Sequence, residues 1–92
     1  MIRWDEAKRA ANLAKHGVDF AVATGFDWDG ALVVEDTRFD YGERRYQALG
    51  MIGLRLYMLV YTPIPDGFRV ISLRKANKRE VLFHEKSKGG AA

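Results

Sequence analysis

The sequence has no cysteine. That excludes a disulfide scaffold, a thiolate zinc site and thiol catalysis. Histidine is scarce too. His16 and His84 stand far apart with no His-x-x-x-His spacing, so no zinc site is expected. Gly50-x-x-Gly53 lacks the Lys-Ser/Thr of a nucleotide loop, and no Gly-x-Ser-x-Gly elbow exists. The longest uncharged run, Leu56 to Pro65, is ten residues, about half of what a membrane-crossing helix needs. The start, MIRWDEAKRA, has no signal-peptide core. These absences point to a soluble cytoplasmic protein without metal or cofactor.

What is present is a core-forming composition: 92 residues, 48% hydrophobic and 12% aromatic. That supports one small domain with a thin core, burying roughly 60–65% of its unfolded surface. The expected domain spans 1–86, followed by a flexible tail, 87–92, of the sequence SKGGAA.

The net charge of +3 hides a division. Residues 1–43 carry five basic and nine acidic side chains, a net of −4, and residues 44–92 carry ten and three, a net of +7. A basic half on a small domain suits a polyanionic partner.

Periodicity places the elements. Met1 to Trp4 reads as a short edge strand. Asp5 caps a helix over 5–16, whose apolar face is Ala7, Ala10, Ala11 and Ala14, ended by Gly17. Asp19 caps a short second helix, 19–26, making a helical hairpin. Strands follow at 31–35, 44–50, 54–62 and 68–73, with Gly50 and Gly53 marking a bulge or turn and Pro63 to Gly67 another turn. A last helix runs from Lys75 to about Lys86. The expected fold class is α+β: a helical hairpin on a four-stranded antiparallel sheet, with a C-terminal helix.

Two clusters carry chemistry. Arg69, Arg74, Lys75, Lys78 and Arg79 gather around the last strand and helix start. Alternation puts Arg69 on one face with Ile71 and Leu73. Cations at a helix N-terminus oppose its dipole, and an anion there would meet both side chains and free N–H groups. The second cluster is Tyr41-Gly42-Glu43-Arg44-Arg45-Tyr46, a carboxylate among guanidiniums and phenols. It suits either proton transfer or a surface ion-pair cluster.

Four segments in order, from Ile2 to about Glu85, resemble the BrnT family of bacterial type II toxins. They are Trp4-Asp5-Glu6-x-Lys8, then Asn12-Leu13-x-Lys15-His16-Gly17-Val18-x-Phe20, then Asp40-Tyr41-Gly42-Glu43-x-Arg45-Tyr46, and Arg69-x-Ile71-Ser72-x-Arg74-Lys75-Ala76 with Arg79-Glu80. The resemblance implies a compact relative of RelE-like ribonuclease toxins. It also implies an RNA substrate and a BrnA-type antitoxin with a ribbon-helix-helix DNA-binding domain. Such a dimeric partner implies a 2:2 assembly and contact with DNA only through the antitoxin. The family's Arg after the central strand is absent here, where Tyr61-Thr62 is followed by Pro63-Ile64-Pro65.

On this footing the expected catalytic residues are Arg69, Arg74 and Lys75, which stabilise the scissile phosphate, with His16 or Glu43 as proton acceptor. The expected RNA contacts are Arg45, Tyr46, Lys78 and Arg79, with Tyr46 stacking a base. No metal takes part, and cleavage uses the RNA 2′-OH. The alternative is a non-catalytic module that binds RNA or protein.

Overall fold

The computed structural model describes residues 1–89; residues 90–92 of the expected tail lie outside the described residues. The chain runs β1 (Ile2–Trp4), α1 (Glu6–His16), a 3₁₀ helix (Phe20–Gly25), β2 (Leu32–Glu35), β3 (Tyr46–Ile52), β4 (Arg55–Ile64), β5 (Gly67–Lys75) and α2 (Lys78–Gly89). The sheet has five strands, not four, in the order β1-β5-β4-β3-β2. It is also mixed: β2 to β5 form an antiparallel meander, but β1 lies parallel to β5, with Ile2 opposite Phe68 and Trp4 opposite Val70. Parallel addition follows because the helices separate β1 from the rest of the sheet. A Cβ at Gly67 would collide with the Met1 backbone, so glycine admits the N-terminus at this corner.

The caps of α1 form as their residues dictate. The Asp5 carboxylate accepts from the Lys8 N–H, and Gly17 takes φ 70° with its N–H on the Leu13 carbonyl. The expected alanine face, however, is exposed, and the buried residue of α1 is Asn12. The second helix of the expected hairpin is a single 3₁₀ segment capped by Asp19.

The two sheet faces bury different sets. Leu59, Val70 and Leu73 are fully buried beneath Val18 and the 3₁₀ segment, which contributes the fully buried Phe20. Leu49, Leu56 and Ala76 pack on the other face with Val81 of α2. Gly50 is no turn: it pairs with Tyr57 inside β3, where a Cβ would enter the Phe26 ring. The turn lies at Gly53, φ 60°.

The last helix starts three residues later than expected, because β5 continues through Lys75. Asn77 and Glu80 then cap each other: the Asn77 Oδ1 accepts from Glu80 N–H at 2.8 Å, and Glu80 Oε1 from Asn77 N–H at 2.9 Å. At its far end α2 reaches Gly89, and His84 Nε2 sits 3.1 Å from the Gly30 carbonyl.

Candidate functional site

A single irregularity decides which charges share a face. The β4–β5 register slips between Val60 and Tyr61, so Val60 pairs with Ser72 but Tyr61 with Val70. Ile71 is the extra residue. The bulge resets alternation, placing Arg69, opposite Thr62, on the face of Ser72 and Arg74 and away from Leu73. Strict alternation predicts the reverse.

On that face Gln47, Met58, Val60, Ser72 and Arg74 floor a cavity of about 290 Å³. One end is closed by Lys15 and His16, the last turn of α1. Asn12 fixes this turn against the sheet, because β1 leaves the later part of β5 unpaired. The Asn12 amide donates to the carbonyls of Leu73 (2.7 Å) and Val18 (2.9 Å) and accepts from the Leu73 N–H (3.1 Å). It acts as one residue of an absent neighbouring strand.

The β2–β3 loop forms the opposite wall, built around Asp36. Its carboxylate is buried and accepts from the Arg38 backbone N–H (3.2 Å), from Arg38 Nε and Nη2 (2.8 Å each), and from the Tyr41 hydroxyl (3.2 Å). The Arg38 guanidinium pulls the Asp36 carboxyl far below the usual carboxylate range. The Arg45 guanidinium stands 4.2 Å above the Tyr41 ring centre. Arg38, Tyr41 and Arg45 thereby line the cavity.

Glu43 sits outside it, as a hub. Its oxygens accept from Arg69 (2.7 and 2.8 Å), Arg45 Nε (3.1 Å) and the Thr62 hydroxyl (3.2 Å). The Arg69 contact leads in holding its pKa below the ordinary value. A carboxylate so occupied is a weak proton acceptor. Of the two acceptor candidates, only His16 reaches the cavity.

His16 has the opposite character. Burial first, then the charges of Lys15 and Arg74, lower its pKa and favour the neutral imidazole. That outweighs the helix C-terminus, which would favour the cation.

The positive field is smaller than the residue count suggests. Arg38 pairs with Asp36, Arg45 with Glu43, and Arg74 with Glu80 through two contacts of 2.8 Å. Among the described residues, Lys15 is the one cavity cation without a carboxylate partner. The paired guanidiniums still present donors: Arg45 spends only Nε on Glu43.

The other expected site residues lie elsewhere. Lys75 pairs opposite Tyr57, on the far face. Arg79 is exposed on α2, and Lys78 lines a different hollow beside Arg55 and Glu85. Tyr46 stacks on Tyr61, centroids 5.7 Å apart, on the face of the Trp28 and Phe68 rings. The α2 N-terminus is not open to an anion from outside, because Glu80 already occupies it. Arg74, Arg45 and His16 are the expected residues the cavity brings together. Tyr41 of the second cluster joins them, as do Lys15, Arg38, Gln47 and Ser72, which were not among the expected site residues. Only Asp36-x-Arg38, an Asx-type spacing in a polar loop, offered a local signal.

Among the described residues no three His, Asp or Glu side chains group as a metal site, and no helix is long and apolar enough to cross a membrane. No curated protein sequence matches the chain. A family model described as "Ribonuclease toxin, BrnT, of type II toxin-antitoxin system" matches residues 4–80. The chain therefore belongs to the BrnT ribonuclease toxins, which act as one half of a toxin–antitoxin pair.

Proposed function

We propose that the cavity between α1 and the β2–β3 loop cleaves RNA by attack of the substrate's own 2′-OH, with His16 as proton acceptor. The observation that carries this reading is a neutral-favoured imidazole lining an open cavity beside Lys15 and Arg74. His16 takes the 2′-OH proton, the 2′-oxygen attacks phosphorus, and the 5′-oxygen leaves with a proton drawn from water. The products are a 2′,3′-cyclic phosphate and a 5′-hydroxyl. Negative charge accumulates on the phosphoryl oxygens, facing Lys15, Arg74, Arg38 and Arg45.

Arg69 and Glu43 hold this frame together through their ion pair, anchoring Arg45, and touch no substrate. Lys75, Lys78 and Arg79 add a diffuse positive field outside the cavity. The proposed step draws on no metal, the 2′-OH serving as nucleophile and the protein cations as charge acceptors. Kinship with RelE-like ribonucleases, a BrnA-type ribbon-helix-helix antitoxin in a 2:2 assembly, and a cytoplasmic location complete the reading.

The test uses purified protein and end-labelled RNA, with and without EDTA. The reading predicts fragments ending in 2′,3′-cyclic phosphate under both conditions, and no cut where the scissile nucleotide is 2′-deoxy. Intact RNA with retained binding would instead make the protein a binding module.

A further inference from the structure

Beside the catalytic cavity lies a second hollow of about 250 Å³, almost wholly apolar, lined by Leu32, Val34, Gln47, Leu49, Met58 and Phe83. Gln47 and Met58 belong to both, so the two are compartments of one trough. We propose that this hollow is a nucleobase subsite, which holds a purine next to the scissile phosphate, adenine in first place. The proposal rests on the RNA-cleavage reading above and adds what that reading lacks, a determinant of sequence.

The chemistry of the walls favours a base. Phe83 is 59% exposed and Val34 60% exposed, unusual for large apolar side chains flanking a cavity. Single-stranded RNA is recognised through unstacked bases laid on aromatic faces and read at their edges. Phe83 supplies the face, and Met58 with Leu49 the apolar floor. Gln47 is the only polar side chain in the lining, and among the described residues its amide has no hydrogen-bond partner. An amide donates and accepts side by side, the pattern that matches adenine's amino group and ring nitrogen.

The spacing is also suitable. Gln47 and Leu49 project from one face of β3 about 7 Å apart, so Gln47 stands at the border of the two compartments and Leu49 one step into the apolar one. A protein partner would need roughly 800 Å² of surface, whereas this hollow of about 250 Å³ is lined by six residues. Phe83 lies beyond residues 4–80, the segment matched by the family model, so this wall belongs to the part of the chain that the match leaves undescribed.

The experiment maps cleavage positions on a pool of randomised RNA, for wild type, Phe83→Ala and Gln47→Leu. Thermal melts establish that each variant folds, with Phe83→Leu as a milder replacement. Wild type is expected to prefer a purine at one position flanking the cut. Phe83→Ala and Gln47→Leu should flatten that preference about tenfold, and Phe83→Ala, outside the catalytic cavity, should retain the cyclic-phosphate end and the pH dependence. An unchanged preference in folded variants overturns the subsite and leaves the cleavage reading standing. So does an unchanged preference together with escape from the antitoxin, which assigns the hollow to the protein partner. Failure of wild type to cut any RNA sinks the underlying reading instead.

Discussion

Replacing Asn12 by Asp changes one amide nitrogen for an oxygen and nothing in size. The Leu73 N–H keeps its acceptor, but the carbonyls of Leu73 and Val18 lose their shared donor. Two buried carbonyls left unpaired cost about 2–4 kcal/mol together. For a chain of this length that is a fall in melting temperature of about 10–30 °C. The penalty should also depend on pH. A carboxylate facing two carbonyl oxygens resists ionisation, so its folded pKa lies above the unfolded value. The protonated form donates to one carbonyl and restores part of the loss. The deficit against wild type should therefore shrink as pH falls from 7 to 4. The assay is thermal unfolding by circular dichroism across that range. A variant melting within about 2 °C of wild type at pH 7 would refute the role given to Asn12. Because Asn12 seats the turn that carries Lys15 and His16, residual activity at low temperature should fall as well.

Other consequences are simpler. Gly50→Ala pushes a methyl group into the Phe26 ring and should cost about 1–3 kcal/mol, read from denaturant midpoints at constant slope. Lys75→Ala and Arg79→Ala should leave the cleavage rate within about threefold of wild type at moderate salt. Lys15→Ala should lower it at least about tenfold, as single-turnover kinetics will show. Asp36, Glu43 and Glu80 all titrate below their ordinary values, through Arg38, Arg69 and Arg74 respectively. Each thus contributes stability that is present above the unfolded carboxylate pKa and lost as pH drops through the folded one. The melting temperature should decline below about pH 4.5, and an acid-insensitive melt would contradict these pairings.

Local chemistry was legible in the sequence, and register was not. Asp5 and Gly17 bound α1 because their capping acts within a few residues. The strands of the meander were visible for the same reason, as short alternating runs. The fifth strand was harder, since Ile2 to Trp4 finds its partner more than sixty residues away. The bulge at Ile71 has no local signature, yet it moves Arg69 to the other face. Asn12 reads as a polar residue on an alanine helix until β5 is seen beside it with its edge open. At the site, charge composition pointed to residues 44–92, yet the cavity also takes Lys15, His16 and Arg38 from the acidic half, and the residue count overstated the free cations. Arg38 and Arg45 each pair with a carboxylate two residues away, and the turn from β5 into α2 brings Glu80 to Arg74. Glu43 looked as basic as His16 because its contacts with Arg69 and Thr62 are a tertiary fact.

The central claim is that His16 accepts the 2′-OH proton. It is tested most directly by the pH dependence of kcat/KM for RNA cleavage in wild type and His16→Gln. Wild type should lose activity on the acid side, with an apparent pKa below the ordinary imidazole value of 6.5. Folded His16→Gln should be slower by about 10²–10⁴-fold and lack that limb. A folded His16→Gln that cleaves at the wild-type rate with the same acid limb would contradict the account.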